Sequence, residues 1–109
     1  MRENAAASGG FTVRTHKDDA SLHVEVAGDL DMAAAFKFES EVDALLGSRD
    51  VEDLVIDLDQ VAFVDSAGLG ALLSIRERAG ELGIDLAIAS VSDPVRRILD
   101  VTGLRDTLG

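Results

Sequence analysis

The chain is 109 residues long, which suits a single domain that can bury its own core. It contains no Cys, so disulfides, thiol chemistry and Cys-rich zinc sites are excluded, and its four aromatic residues are all Phe, so the core is expected to be aliphatic. The formal net charge of −11 argues against nucleic acid and anionic membranes as partners, because both require clustered Lys and Arg.

The N-terminal segment is predicted to be a flexible leader in front of one domain. Residues 1–10 are small and polar and do not resemble a signal peptide, and residues 11–109 are expected to form the domain. No apolar run approaches the ~20 residues that cross a bilayer. We therefore expect a cytoplasmic protein.

The first elements are predicted to form a β-hairpin. Residues 11–16 and 22–26 alternate apolar and polar side chains, as half-buried strands do, and the polar connector 17–20 is short enough for an antiparallel turn. Residues 28–31 (Gly-Asp-Leu-Asp) are expected to break the second strand, and Asp31 is expected to cap the helix that follows.

The rest of the chain is predicted to alternate helices and strands. Apolar residues recur at helical spacing from Met32 to Leu46, and Gly47 is a natural stop. Two further strands are predicted over residues 54–58 and 84–89. The last helix is predicted to begin at Ser92 and to end at Gly103. The helix between these strands follows residues 65–70, and the residues that it is expected to bury are Leu69, Leu72, Leu73, Ala79 and the stem of Arg76. The order β-β-α-β-α-β-α predicts a small α/β sandwich with a mixed four-stranded sheet, in which the last three strands are parallel and the hairpin adds an antiparallel edge.

Catalytic and metal-binding arrangements are weakly supported. His16 and His23, on the polar sides of the hairpin strands, have no Cys or second His at metal-ligand spacing, so they are interpreted as surface residues. A Ser-His-Asp triad built on Ser66 lacks the G-x-S-x-G elbow, because Val64 and Gly68 stand two residues to either side. We therefore expect no enzymatic activity, no metal site and no cofactor.

Asp57 follows an apolar run, where receiver domains carry a phosphorylatable Asp beside an acid pair that holds Mg²⁺. In this sequence Asp29 and Asp31 are not adjacent, and residues 90–92 stand where such a domain places a lysine. Asp57 is therefore interpreted as a solvated acid at the end of a strand.

Residues 65–70, with the sequence Asp-Ser-Ala-Gly-Leu-Gly, are the most informative segment. In one interpretation the Ser66 hydroxyl caps the helix that follows, which stabilises it by about 1 kcal/mol. In a second, the Gly-rich turn cradles a phosphate with backbone N–H groups, although the P-loop Lys and the full G-x-G-x-x-G spacing are missing. In a third, Ser66 is itself phosphorylated where the helix dipole tolerates the added charge. The residues alone leave all three open.

Three segments of the chain resemble the STAS domain, and within that family the single-domain anti-sigma-factor antagonists. Residues 28–31 (Gly-Asp-Leu-Asp) are similar to the family's G-x-L-D turn, and residues 55–70 are similar to its strand and D-S-x-G-L-G signature. Residues 92–104 are similar to its closing helix. The likeness spans residues 11–108, and its middle segment is the most specific.

This resemblance implies a STAS-type sandwich and a partner-switching role in transcription. The unmodified antagonist would bind an anti-sigma factor that is also a serine kinase and so release a sigma factor; phosphorylation of Ser66 would separate the complex, and a serine phosphatase would restore it. The partner-binding residues that the motifs imply are Asp31, Asp65, Ser66, Ala67, Gly68, Leu69 and Gly70.

The alternative is a STAS subunit of a membrane lipid-transport ATPase complex, acting as an unmodified binding module. Such relatives tend to lack the Asp-Ser pair at positions 65 and 66, which favours the antagonist. The chain departs from the family in its tail, which lacks the common aromatic residue, and in the bland start of its first helix at residues 33–35. The sequence does not decide whether the chain self-associates.

Overall fold

The computed structural model describes residues 10–47 and 50–103, so most of the predicted leader and the tail at residues 104–109 lie outside the described residues. The strands are β1 (Phe11–Asp18), β2 (Ser21–Leu30), β3 (Asp53–Val64) and β4 (Asp85–Val91), and the helices are α1 (Met32–Leu46), α2 (Ser66–Glu81) and α3 (Asp93–Thr102). Their order along the chain is the predicted β-β-α-β-α-β-α.

The strands form one mixed sheet in the order β1-β2-β3-β4. β1 and β2 pair antiparallel as a hairpin, whereas β2–β3 and β3–β4 pair parallel. Parallel neighbours need a crossover that returns the chain to the same end of the sheet, and α1 and α2 provide the two crossovers. The predicted α/β sandwich with a mixed four-stranded sheet is confirmed.

The core lies on one face of this sheet. Leu22 pairs in register with Leu54, and Val24 with Ile56, and all four side chains are buried. Alternation turns the residues between them to the opposite face, which the helices leave open. The buried sides of the helices join the same cluster, in which Phe38 is the one aromatic member among the described residues. The aliphatic core that composition predicts is confirmed.

β2 is longer than the sequence pattern predicts. It continues through Gly28 and ends at Leu30, within the segment 28–31 that was expected to break it. Gly28 has a φ of 95° and lies at a register shift against β3, which lets the strand bend and continue.

β3 is also longer than the strand predicted over residues 54–58, because it continues to Val64 and contains 12 residues. Exposed Asp59 and Gln60 interrupt the apolar pattern without ending the strand. Asp57 therefore lies inside the strand, and the interpretation of a strand-end acid is wrong. Its Oδ1 accepts a hydrogen bond from the backbone N–H of Asp59 at 2.9 Å.

The helix boundaries follow the predicted signals more closely than the helix cores do. α1 ends at Gly47, and α3 ends at Gly103 with a φ of 74°, as predicted. The core residues predicted for α2 are buried at Leu69, Leu72 and Ala79 and half-buried at Leu73. Arg76 is exposed, so its predicted buried stem is wrong; the helix turns Ile75 into the core instead and leaves the charge in water.

Candidate functional site

Two helices begin side by side at one edge of the sheet. Leu30, the last residue of β2, pairs with Val64, the last residue of β3, and the parallel arrangement brings the two following turns together. Asp31 caps α1 and Asp65 caps α2. Each uses its Oδ1 to accept a hydrogen bond from a backbone N–H three residues on, at 3.0 Å in α1 and 2.9 Å in α2. The predicted capping role of Asp31 is confirmed.

Ser66 is the first residue of α2, and its side chain is exposed. Its hydroxyl makes no hydrogen bond within residues 10–47 and 50–103, because the capping position belongs to Asp65. The interpretation of Ser66 as the helix cap is therefore wrong. A signal for this was present in the sequence, since Asp65 follows Val64 as Asp31 follows Leu30 in the preceding strand–helix turn.

Gly68 allows the first turn of α2 to lie against the end of β2. A Cβ at this position would overlap the carbonyl oxygen of Leu30 and would lie 2.9 Å from the Leu30 Cγ. The next residue, Leu69, is only 5% exposed and belongs to the core. Both residues of the motif therefore have packing roles, and the side chain of Leu69 is not on the surface that the sequence predicted for partner binding.

Ala67 and Gly70 occupy the outer part of the same turns. Ala67 is half-buried, and no atom lies within 4 Å of the place where a Cβ on Gly70 would stand. The surface beside Ser66 is consequently low, because neither residue projects a side chain beyond a methyl group. A partner can approach the Ser66 hydroxyl closely.

The two helix starts give this edge a mixed electrostatic character. α1 and α2 contain 15 and 16 residues, and each carries roughly +0.5 charge of dipole at its N-terminus. Half-buried Asp29, Asp31 and Asp65 place carboxylates at the same edge. A negative charge added to Ser66 would therefore be favoured by the dipoles and opposed by the carboxylates.

Several large apolar side chains near this edge are exposed, and the sequence interpretation missed them. Met32 is 73% exposed, Phe36 78% and Phe63 48%. Residues 33–35 at the start of α1 are alanines that offer no large side chain to a partner, whereas their neighbours Met32 and Phe36 do. Met32 and Phe36 lie four residues apart and outside the apolar face formed by Phe38, Val42 and Leu46, and this offset could be read from the sequence.

The structure does not bring the histidines to Ser66. His16 and His23 face each other across the β1–β2 hairpin, with ring centroids 6.1 Å apart. His23 precedes Leu30 along β2 by a distance of about 23 Å, at ~3.3 Å per strand residue. Neither histidine can therefore act as a base for the Ser66 hydroxyl.

In the part of the chain that comprises residues 10–47 and 50–103, no group of three or more His, Asp or Glu side chains could hold a metal ion. None of the helices in that part is both long and apolar enough to cross a membrane.

Comparisons with known proteins point to one family. The family model described as the STAS domain matches residues 11–108. The anti-sigma F factor antagonist of Paenibacillus polymyxa is 32% identical over 83 residues, which cover 76% of this chain and 71% of that protein. The anti-sigma-B factor antagonist of Staphylococcus aureus strain NCTC 8325 is 29% identical over 98 residues, 90% of each chain. A crystal structure of an anti-sigma factor antagonist from Mycobacterium paratuberculosis superposes with a TM-score of 0.82 at 29% identity, over 95% of this chain and 87% of that one.

Proposed function

The chain belongs to the STAS domain family, and on this premise we propose that it is an anti-sigma-factor antagonist whose binding is switched by phosphorylation of Ser66. In the unmodified state it binds an anti-sigma factor that is also a serine kinase, and a sigma factor is released. The names of its relatives support the antagonist role. The switch is supported by one observation above all: the exposed Ser66 hydroxyl is left without a hydrogen bond to the described chain, because Asp65 caps the helix.

The contact surface that we propose is narrower than the motif. It comprises Ser66, Ala67 and Gly70 on α2 and the two capping carboxylates, Asp31 and Asp65. Gly68 and Leu69 contribute indirectly, because they fix the first turn of α2 against the sheet. The low profile of this turn lets the active site of a kinase reach the Ser66 oxygen.

The modification is a phosphoryl transfer from ATP held by the kinase. The Ser66 oxygen forms a bond to the γ-phosphorus, and the bond from that phosphorus to the bridging oxygen breaks, so that ADP is the leaving group and stays bound to the kinase. The hydroxyl proton passes to a base on the kinase, since both histidines of this chain lie far from Ser66 and the neighbouring Asp65 carboxylate is engaged as the helix cap. The chain contributes the nucleophile and its position, and the kinase contributes the remaining chemistry.

Phosphorylation acts on the interface more than on the fold. It adds about −1.5 to −2 charge at pH 7. The neighbouring helix N-termini offset part of the cost within the antagonist, at about 0.3–1 kcal/mol each. Across the interface, the new phosphate faces the phosphates of the ADP that the kinase still holds, and the two charges repel. The complex therefore separates, and a serine phosphatase later hydrolyses the exposed phosphoserine to regenerate the binding form.

Site mapping after reaction with the kinase tests this proposal. Purified wild-type chain and Ser66→Ala are each incubated with the anti-sigma factor kinase of the source organism and Mg-ATP, and intact masses and peptide maps are recorded. We expect one phosphate per wild-type chain, located on Ser66, and none on the variant. A stoichiometric phosphate on Ser66→Ala, or on another serine of the wild type, would contradict the proposal. Ser74, half-buried on the third turn of α2, provides a control on the same helix: Ser74→Ala should be phosphorylated as wild type is.

A further inference from the structure

Met32 and Phe36 form an exposed apolar pair on α1. Their side chains are 73% and 78% exposed, and their i,i+4 spacing places them one above the other on the same flank of the helix. Large exposed apolar side chains in this position bring no benefit to a chain that stays in water, and they stand out in a chain with a formal net charge of −11.

The flank that carries this apolar pair faces α2. Asp43 lies seven residues beyond Phe36, two helical turns further along the same flank. Its Oδ1 accepts a hydrogen bond from the Nε of Arg78 on α2 at 2.9 Å, which shows that this flank of α1 lies beside α2. Arg78 in turn lies three turns beyond Ala67 on one flank of α2. The apolar pair and Ala67 therefore border the same end of the groove between the two helices.

This end of the groove is the end at which Ser66 lies. Met32 and Ser66 are the first residues of α1 and α2, and the strands before them end in register. Gly70, one turn beyond Ser66, leaves open space beside it. The serine and the apolar pair consequently share one continuous surface.

A protein interface of typical size that is centred on Ser66 is wide enough to include Met32 and Phe36. A typical interface buries ~800 Å² per partner, which corresponds to a disc of about 16 Å radius. Packed helices lie about 8–10 Å apart, and Phe36 lies about 6 Å along α1 from Met32. A kinase centred on the Ser66 hydroxyl therefore covers Met32 and Phe36 as well.

We infer that Met32 and Phe36 insert into an apolar pocket of the anti-sigma factor kinase and supply much of the affinity for it. This inference rests on the proposed function and adds the chemistry of the partner. Apolar contacts of this kind carry no charge, so they act equally before and after Ser66 is phosphorylated. The apolar pair sets the strength of binding, and Ser66 sets its switching.

Titration of matched alanine variants tests the inference. Wild type, Met32→Ala, Phe36→Ala and the control Val101→Ala, whose side chain is 80% exposed on α3, are titrated against the purified kinase with Mg-ADP, so that no phosphoryl transfer occurs. We expect Phe36→Ala to raise Kd at least about tenfold, as for an interface hot spot, and Val101→Ala to change it by less than about twofold. Phe36→Ala is expected to raise Kd by the same factor in the Ser66→Asp background as in wild type. Thermal melts confirm that each variant is folded, since Ala favours the helix.

Several results would overturn the inference. Equal binding of Phe36→Ala and wild type would do so while leaving the proposed function intact, provided that wild type binds and is phosphorylated on Ser66. If Val101→Ala weakened binding to the kinase as much as Phe36→Ala does, the loss of affinity would not be specific to the apolar pair. Dissociation of a wild-type dimer by Phe36→Ala, seen by sedimentation of the free chain, would assign the pair to a second copy. Altered amide NMR shifts of residues 1–9 in free Phe36→Ala would assign it to the N-terminal segment. Failure of wild type to bind the kinase would overturn the proposed function together with the inference.

Discussion

Asp65 and Ser66 are consecutive residues with separate tasks. The Asp65 carboxylate satisfies the backbone N–H of Gly68 and thereby holds the first turn of α2. The Ser66 side chain is left facing solvent at the first helical position. A serine that also served as the cap could not be modified without loss of a helix-stabilising hydrogen bond. This division of roles allows a switch at residue 66 that does not disturb the fold.

Substitution of the two residues should therefore have different effects on stability. We expect Asp65→Ala to lower the free energy of unfolding by about 1 kcal/mol, because the capping acceptor is lost. The corresponding decrease in Tm is about 4–8 °C for a domain of this size. Ser66→Ala should leave Tm nearly unchanged, and Asp65→Asn, which keeps an acceptor, should restore most of the loss. Thermal denaturation followed by circular dichroism measures all three, and a larger loss for Ser66→Ala than for Asp65→Ala would show that the capping assignment is wrong.

At the scale of elements, the periodicity of apolar residues predicted the type and order of the helices and strands better than it predicted their lengths. Alternation and helical spacing identified the seven elements and their order. They could not show that β3 continues through Asp59 and Gln60, because two exposed polar residues between apolar runs look like a turn in sequence. The α/β class thus followed from the residues, whereas strand lengths depended on pairing with β2.

The sequence predicted which segment forms the candidate site, but not which of its side chains are exposed. The motif at residues 65–70 was identified, and the family resemblance pointed to its serine. Which of its members face solvent depends on how α2 packs against β2, and that contact is formed by Leu30, 38 positions before Gly68 in the chain. Helical spacing predicted Leu69 as a core residue, whereas the resemblance implied that it binds the partner; its side chain is buried.

The two glycines of the motif offer a matched test of this packing. Gly68→Ala would press a methyl group into the Leu30 carbonyl, so we expect a loss of stability, of the order of 1–3 kcal/mol as for other overpacked sites. Gly70→Ala meets no atom within 4 Å, so the higher helix propensity of Ala should raise stability by about 0.5–1 kcal/mol. Urea denaturation of both variants gives the two values. Equal effects of the two substitutions would mean that Gly68 does not mediate a close helix–sheet contact.

At the scale of the whole molecule, acidity is the dominant property. The chain has 21 Asp and Glu against 10 Lys and Arg. Such an excess keeps a protein apart from nucleic acid and from other copies of itself, at the cost of repulsion within the folded state. One local case is Asp53, which pairs in register with Asp85 on the neighbouring strand.

Salt should therefore stabilise the fold. Raising the ionic strength from 0.01 to 0.15 M shortens the screening length from ~30 Å to ~8 Å, so we expect Tm to rise over this range. Asp85→Asn removes one charge from the Asp53–Asp85 pair and should raise Tm at low salt, with a smaller gain at high salt because screening has already weakened the repulsion. Scanning calorimetry at both ionic strengths provides the comparison. A Tm that falls as NaCl is added would show that ion pairs such as Arg78–Asp43 outweigh the net repulsion.

The central claim, that the state of Ser66 decides partner binding, is tested most directly by a release experiment. Complexes of the purified kinase with wild-type chain, Ser66→Ala or Ser66→Asp are formed with Mg-ADP, Mg-ATP is added, and the bound fraction is followed by size-exclusion chromatography. We expect wild type to be released on addition of ATP and Ser66→Ala to stay bound, because only the wild type can accept a phosphate. Ser66→Asp should bind more weakly from the start, since its carboxylate mimics part of the phosphate charge. Equal release of wild type and Ser66→Ala on addition of ATP would contradict the claim.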